Sequence, residues 1–106
     1  MNESAREPLH FAHGTLTLDR LKRKVTAGCT LLELTAREFS LLELLLAHRG
    51  QPLTRDRIAQ AIWEADVDFE TNLIDVYVLR LRRKLVATGE MTPRIHTIRN
   101  VGYMLE

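Results

Sequence analysis

The sequence has little cysteine and no long apolar run. Cys29 is the only cysteine, so the chain forms no internal disulfide and offers no cysteine-based zinc site. The longest apolar stretch, LLELLLA at 41–47, is far shorter than the roughly 20 residues that a membrane-spanning helix needs. The first residues, MNESAREPLH, lack the basic-then-apolar pattern of a signal peptide. We therefore expect a reducing, cytoplasmic location and no membrane partner.

Motifs for catalysis and metal binding are also absent from the sequence. It contains no glycine-rich phosphate loop, and no serine or cysteine has a matched histidine context. Its histidines are His10, His13, His48 and His96. The closest two, His10 and His13, lie three apart on a predicted short strand and turn, where their imidazoles do not converge, and no acidic cluster joins them. We predict no enzyme activity, no cofactor and no metal site.

Composition is typical of one folded domain with an uneven charge distribution. The 106 residues are 45% hydrophobic and 27% charged, and the formal net charge is +1, which argues against general disorder and allows a single core. Basic residues are concentrated in RLKRK (20–24) and RLRRK (80–84), whereas EADVDFE (64–70) has acidic residues and no basic ones. The surface is therefore dipolar despite the near-neutral total.

Hydrophobic periodicity predicts a small sheet, three helices and a hairpin, in that order. Residues 9–34 alternate in short bursts broken by glycine, as in an antiparallel sheet. Thr35 and Glu38 form a capping-box pattern for a first helix that ends before Gly50. Its leucines extend beyond one face, so we expect it to be covered on two sides. After Pro52, Thr54 caps a shorter second helix.

The remaining elements follow an acidic loop at 64–70. A third helix begins at Thr71 or Asn72 and ends at about Ala87. The C-terminal RIHTIRNVGYMLE contains two β-rich runs around Asn100 and Gly102, which indicate a hairpin.

The third helix has two different faces. One is an apolar stripe that we assign to the core, made of Ile74, Val78, Leu81 and Leu85. The opposite face mixes basic and apolar side chains that the core does not need: Asn72, Val76, Leu79, Arg80 and Arg83. A DNA major groove accommodates such a mixture, because arginine pairs with guanine, asparagine with adenine, and valine contacts the thymine methyl group. A solvated basic face with two exposed apolar residues explains the helix equally well.

The hairpin favours the DNA interpretation. Arg99 stands just before the NVGY turn, where a hairpin would bring a guanidinium to a narrow minor groove. Taken alone, Arg99 is better explained as a turn residue in water. A basic helix followed by a hairpin with an arginine near its tip is, however, the layout of a winged helix.

Three ordered motifs resemble one known family. LTAREFSLLELLLAHRGQPLTRDRIAQAIW, TNLIDVYVLRLRRKL and HTIRNVGY are similar to the effector domain of OmpR/PhoB-type response regulators, and the resemblance covers nearly all of 9–106. It implies an α+β winged helix-turn-helix with an N-terminal four-stranded antiparallel sheet, three helices and a C-terminal β-hairpin wing. Residues 1–8 are expected to be a flexible tail or linker remnant. The expected partners are promoter DNA, bound as a head-to-tail tandem dimer on direct repeats, and a receiver domain in the full-length protein.

The resemblance also implies roles for individual residues. Base contacts fall on Asn72, Val76, Arg80 and Arg83. Phosphate or minor-groove contacts fall on Arg55, Tyr77, Arg82, Thr97, Arg99 and Tyr103. Contacts with the sigma or alpha subunit of RNA polymerase fall on Asp56, Glu64, Asp66, Asp68 and Glu70. Trp63 is expected chiefly to pack within the fold and could add a phosphate contact.

The chain departs from the family pattern at three positions. Leu79 replaces a frequent arginine, Tyr77 a frequent histidine, and Asn100 a usual glycine in the wing turn. Asparagine tolerates positive φ, so we expect the turn to survive. The alternative function is a winged-helix module that binds a protein through a patch formed by Val76 and Leu79.

Overall fold

The computed structural model describes residues 10–63, 72–90 and 94–106. Its elements are β1 (His10–His13), β2 (Leu16–Asp19), β3 (Lys24–Ala27), β4 (Thr30–Leu32), α1 (Ala36–Ala47), β5 (Leu53–Thr54), α2 (Arg55–Trp63), α3 (Asn72–Ala87), β6 (Ile95–Ile98) and β7 (Gly102–Leu105). The predicted tail at 1–8, the acidic loop at 64–70 and a cap at Thr71 lie outside the described residues. Within the described part of the chain, no helix is both long and apolar enough to cross a membrane.

The N-terminal sheet is the predicted antiparallel meander, with strand order β1-β2-β3-β4. Its inner face is apolar because alternate residues point to one side of a strand. Leu16 and Leu18 of β2 and Val25 and Ala27 of β3 are buried, whereas Thr17 between the two leucines is exposed. The sheet therefore presents one apolar face to the helices.

Helix α1 begins at the predicted capping box. The Glu38 amide donates to Thr35 Oγ1 at 3.2 Å, and the Thr35 amide donates to Glu38 Oε1 at 2.9 Å, so two of the N–H groups that an N-terminal turn leaves free are satisfied. The helix contacts β1 on one side and both other helices on another. This position between two layers explains why Leu41, Leu42 and Leu45 are all buried. The expected double coverage is confirmed.

A second sheet contains a strand that the sequence did not predict. The two-residue β5 pairs with β7, which also pairs with β6, in the order β5-β7-β6. Gly102 makes this pairing possible, because a Cβ atom there would lie 1.9 Å from the Leu53 carbonyl oxygen. Thr54 belongs to β5 and also caps α2, since its Oγ1 accepts from the Arg57 amide at 3.1 Å. The wing is thus joined to the start of α2.

The wing turn and the two faces of α3 agree with the sequence predictions. Asn100 adopts φ 63°, as expected for the residue that replaces glycine in this turn. The predicted stripe on α3 is buried, namely Ile74, Val78, Leu81 and Leu85. On the opposite side, Val76 is 39% exposed and Leu79 is 45% exposed.

An ion pair joins α3 to α1 at the edge of this stripe. Glu38 is 2% exposed, and Lys84 Nζ donates to its Oε1 and, at 2.8 Å, to the Glu33 carbonyl oxygen. Burial alone would raise the pKa of Glu38, but the hydrogen bonds from Lys84 and from the Thr35 amide outweigh it and hold the pKa below its ordinary value. The carboxylate is therefore ionised at neutral pH.

Leu81→Ala and Val76→Ala should differ sharply in stability. The first leaves a cavity in the core and should cost about 2–5 kcal/mol, whereas the second trims an exposed side chain and should change stability little. Thermal or urea unfolding of both variants measures the difference. A larger loss for Val76→Ala would mean that α3 is rotated relative to this structure.

Glu38→Gln should destabilise the domain in a pH-dependent way. A group with a lowered folded pKa contributes stability above its unfolded pKa, here near 4.5, and loses it as pH falls through the lower folded pKa. Glutamine keeps an acceptor for the Thr35 amide but not the charge. The loss should be on the order of 1–3 kcal/mol at pH 7 and should shrink below pH 4.5. Unfolding is compared with that of Glu33→Gln, a change at an exposed residue; a pH-independent difference would contradict the assignment.

Candidate nucleic-acid interface

Four residues that we assigned from the sequence to the outer face of α3 lie together on its exposed side. Val76, Leu79, Arg80 and Arg83 are all exposed, and their spacing of three and four residues places them side by side on one surface. The Arg80 guanidinium lies 5.4 Å from the centre of the Tyr77 ring, which holds it against the helix. Asn72 is the first residue of the same helix. The face therefore combines positive charge with apolar area.

The other two basic residues of RLRRK, Arg82 and Lys84, form hydrogen bonds within the domain. Arg82 Nε donates to the Ile95 carbonyl oxygen at 3.0 Å, and its Nη2 donates to Thr97 Oγ1 at 2.7 Å. Lys84 bonds to α1, as described above. The basic cluster thus divides into Arg80 and Arg83, which face outward, and two side chains that connect α3 to β6 and to α1.

A polar cluster formed by Arg55, Asp75 and Tyr103 joins α2, α3 and β7. Arg55 Nε donates to Asp75 Oδ1 at 3.1 Å, and Arg55 Nη2 donates to the Tyr103 hydroxyl at 3.5 Å. The Tyr103 hydroxyl in turn donates to Asp75 Oδ1. The sequence did not single out Asp75, because an acidic residue in the first turn of a helix is common for dipole reasons alone.

The electrostatics of this cluster keep Arg55 charged. The hydrogen bond that Arg55 donates to Asp75 holds the pKa of Arg55 above its ordinary value. Burial raises the pKa of Tyr103, and its hydrogen bond to Asp75 acts in the same direction, so the phenol stays protonated and serves as a donor. The guanidinium groups of Arg55 and Arg82 also lie 5.2 Å and 5.7 Å from the centre of the Tyr103 ring. Tyr103 itself is only 4% exposed.

Aromatic packing joins α3 to α2. Trp63 and Tyr77 meet edge to face with ring centroids 5.4 Å apart and an interplanar angle of 69°, a favoured arrangement. The Arg37 guanidinium lies 5.0 Å from the centre of the Trp63 ring. Both aromatic residues pack against the core, so the expected packing role of Trp63 is confirmed.

Of the remaining predicted residues, the structure describes Arg99 and Asp56. Arg99 is exposed in the turn between β6 and β7, and Asp56 is exposed in the first turn of α2. The predicted contacts at Glu64, Asp66, Asp68 and Glu70 lie outside the described residues. Over 10–63, 72–90 and 94–106, no three histidine, cysteine or acidic residues converge as a metal site would require.

A basic, partly apolar helix beside a two-stranded wing defines a winged helix-turn-helix domain. The family model described as "Transcriptional regulatory protein, C terminal" matches residues 29–105. The chain is 45% identical over 97 residues to the transcriptional regulatory protein CusR of Escherichia coli K12, covering 91% of this chain and 42% of CusR. It is also 45% identical over 104 residues to the response regulator MprA of Mycobacterium tuberculosis H37Rv, covering 97% of this chain and 44% of MprA.

Solved structures agree with the sequence relatives. The DNA-binding domain of Klebsiella pneumoniae RstA, in complex with the RstA box, superposes with a TM-score of 0.80 at 34% identity, covering 91% of this chain and 95% of that one. The DNA-binding domain of CpxR from E. coli superposes with a TM-score of 0.80 at 31% identity, covering 93% of this chain and 96% of that one. The chain belongs to the family of OmpR/PhoB-type response-regulator effector domains, the winged-helix DNA-binding domains of transcription regulators. It spans less than half the length of CusR and of MprA.

Proposed function

We propose that this domain binds promoter DNA sequence-specifically, with α3 in the major groove and the wing in the adjacent minor groove. The observation that carries the proposal is the exposed face of α3, where Val76, Leu79, Arg80 and Arg83 lie together without serving the core. The related RstA domain is described in complex with its DNA box. The setting is the cytoplasm of a bacterium, in a two-component system.

Base contacts fall on the outward side of α3. Arg80 and Arg83 present guanidinium groups for the O6 and N7 atoms of guanine, and Val76 presents methyl groups to thymine. Asn72, at the start of the helix, pairs with adenine. Leu79 adds apolar area where relatives often have arginine, so it shifts base preference away from theirs.

Backbone contacts surround this face. Arg55 and Tyr77 approach phosphates on either side of α3, and Arg99 enters the minor groove from the wing turn. Arg82 Nη2 donates a hydrogen bond of 2.7 Å to Thr97 Oγ1. The two side chains therefore approach a phosphate as a pair.

Assembly and partners follow the family pattern. Two copies bind head to tail on direct repeats, and a receiver domain accounts for part of the additional length of the relatives. Asp56 is exposed in α2, and together with Glu64, Asp66, Asp68 and Glu70 it forms the surface for the sigma or alpha subunit of RNA polymerase. Carboxylates suit this role better than DNA contact, because phosphates repel them.

Arg80→Ala should weaken specific binding and relax one base position. Loss of a bidentate contact with a base should cost about 1–3 kcal/mol, and substitution of that base should no longer matter to the variant. Fluorescence anisotropy on a set of single-base variants of the site measures both effects. Lys22→Ala, in the exposed turn between β2 and β3, removes the same charge outside α3 and should bind normally. An equal loss on every sequence would assign Arg80 to a phosphate.

The alternative function, docking of a protein on Val76 and Leu79, predicts a different response to salt. DNA binding through several phosphates releases counterions, so log K should fall with log salt by about 0.9 for each contact. Docking on an apolar patch should change little over the same range. Titrations of the domain at several salt concentrations, with a duplex selected from a random DNA library, decide between the two; a flat response would favour the protein-binding module.

A further inference from the structure

We infer that Asp75 is a positioning residue that presents Arg55 to a DNA phosphate in register with the base-contacting face of α3. The inference rests on the proposed DNA binding and goes beyond it, because it assigns a role in affinity to an acidic residue on the DNA-binding helix. Asp75 directly precedes Val76 in the chain. Its side chain is 42% exposed.

A carboxylate this close to the base-contacting face would oppose DNA binding unless its charge is offset. Near a phosphate backbone, an exposed negative charge is repelled. Asp75 is instead paired, because its Oδ1 atom accepts hydrogen bonds from Arg55 Nε and from the Tyr103 hydroxyl. Its charge is thus offset locally, and its geometry is fixed by partners on α2 and on the wing.

The same contacts orient the Arg55 guanidinium. Among the described residues, its hydrogen bonds use Nε toward Asp75 and Nη2 toward Tyr103, which leaves the Nη1 amino group for a phosphate oxygen. Because the guanidinium is a rigid planar fork, fixing one edge fixes the direction of the rest. The Arg55 side chain is 33% exposed, so it is anchored but still accessible.

Holding the Arg55 side chain in place before DNA binds increases the affinity for DNA. A free arginine loses rotamer entropy when it meets a phosphate, whereas a side chain already held in place loses less. Since Asp75 lies on α3 itself and Tyr103 on β7, the phosphate contact, the helix and the wing are set in one geometry. The Arg55 contact should therefore hold α3 at a defined depth and register in the groove.

The simpler interpretation is that Asp75 only stabilises the first turn of α3 through the helix dipole. In that case its loss would affect folding, and affinity would stay the same or rise because a repulsive charge is gone. A double-mutant cycle separates the two interpretations, because only a positioning role couples Asp75 to Arg55 in DNA binding.

The experiment compares the unmodified chain, Asp75→Ala, Arg55→Ala and the double variant for binding to the selected duplex across a salt series. Asp75→Ala should weaken binding on the order of tenfold and reduce the salt slope by about 0.9, as Arg55→Ala does. The double variant should bind no more weakly than Arg55→Ala alone. Asp75→Asn, which keeps an acceptor oxygen, should recover part of the loss.

Additive losses in the double variant, tighter binding by Asp75→Ala, or an unchanged salt slope would each overturn the inference. Melting temperatures of all variants identify loss of fold, and Asp75→Asn keeps the test decisive if Asp75→Ala does not fold. If the unmodified chain itself fails to bind the duplex in a salt-dependent way, the proposed function is wrong. If it binds and the cycle is additive, only the positioning role of Asp75 is wrong.

Discussion

The position of α3 depends on the burial of one narrow apolar stripe. Ile74, Val78 and Leu81 are at most 1% exposed, and burial of side chains of this size contributes on the order of 1.5–3 kcal/mol each. Each residue turns a helix by about 100°, so burying this stripe fixes the rotation of α3 about its axis. The side opposite the stripe then has to face outward, and there the basic and apolar residues lie.

Polar contacts on the two flanks of the stripe reinforce this rotation. Arg82 lies about 80° to one side of Ile74 and Lys84 about 80° to the other at helical spacing. The first bonds to β6 and the second to α1. Asp75 lies on the same flank as Arg82 and reaches Arg55 and Tyr103. The surface is therefore formed before any partner arrives, and little reorganisation opposes binding.

Much of this structure follows from local patterns in the sequence. The capping box at Thr35, the turn at Asn100 and the α3 stripe were predictable because each is set by neighbouring residues. Strand β5 was not predictable, because its two residues are too few to show an alternating pattern. The strand is defined only by its pairing with β7. We grouped RLRRK as one basic cluster from the sequence, although helical spacing already places Arg82 and Lys84 on opposite flanks of α3. Asp75 was missed for another reason: its partners lie 20 and 28 residues away in the chain.

The outward face of α3, we propose, contacts DNA bases. Selection of binding sites from a random DNA library with this chain tests it most directly, because it presupposes no operator. We expect an enriched motif with two direct repeats about one helical turn apart, in which each repeat contains guanine or thymine positions that suit Arg80 and Val76. A library that emerges unenriched would contradict base contact by α3, and enrichment only for inverted repeats would contradict head-to-tail binding.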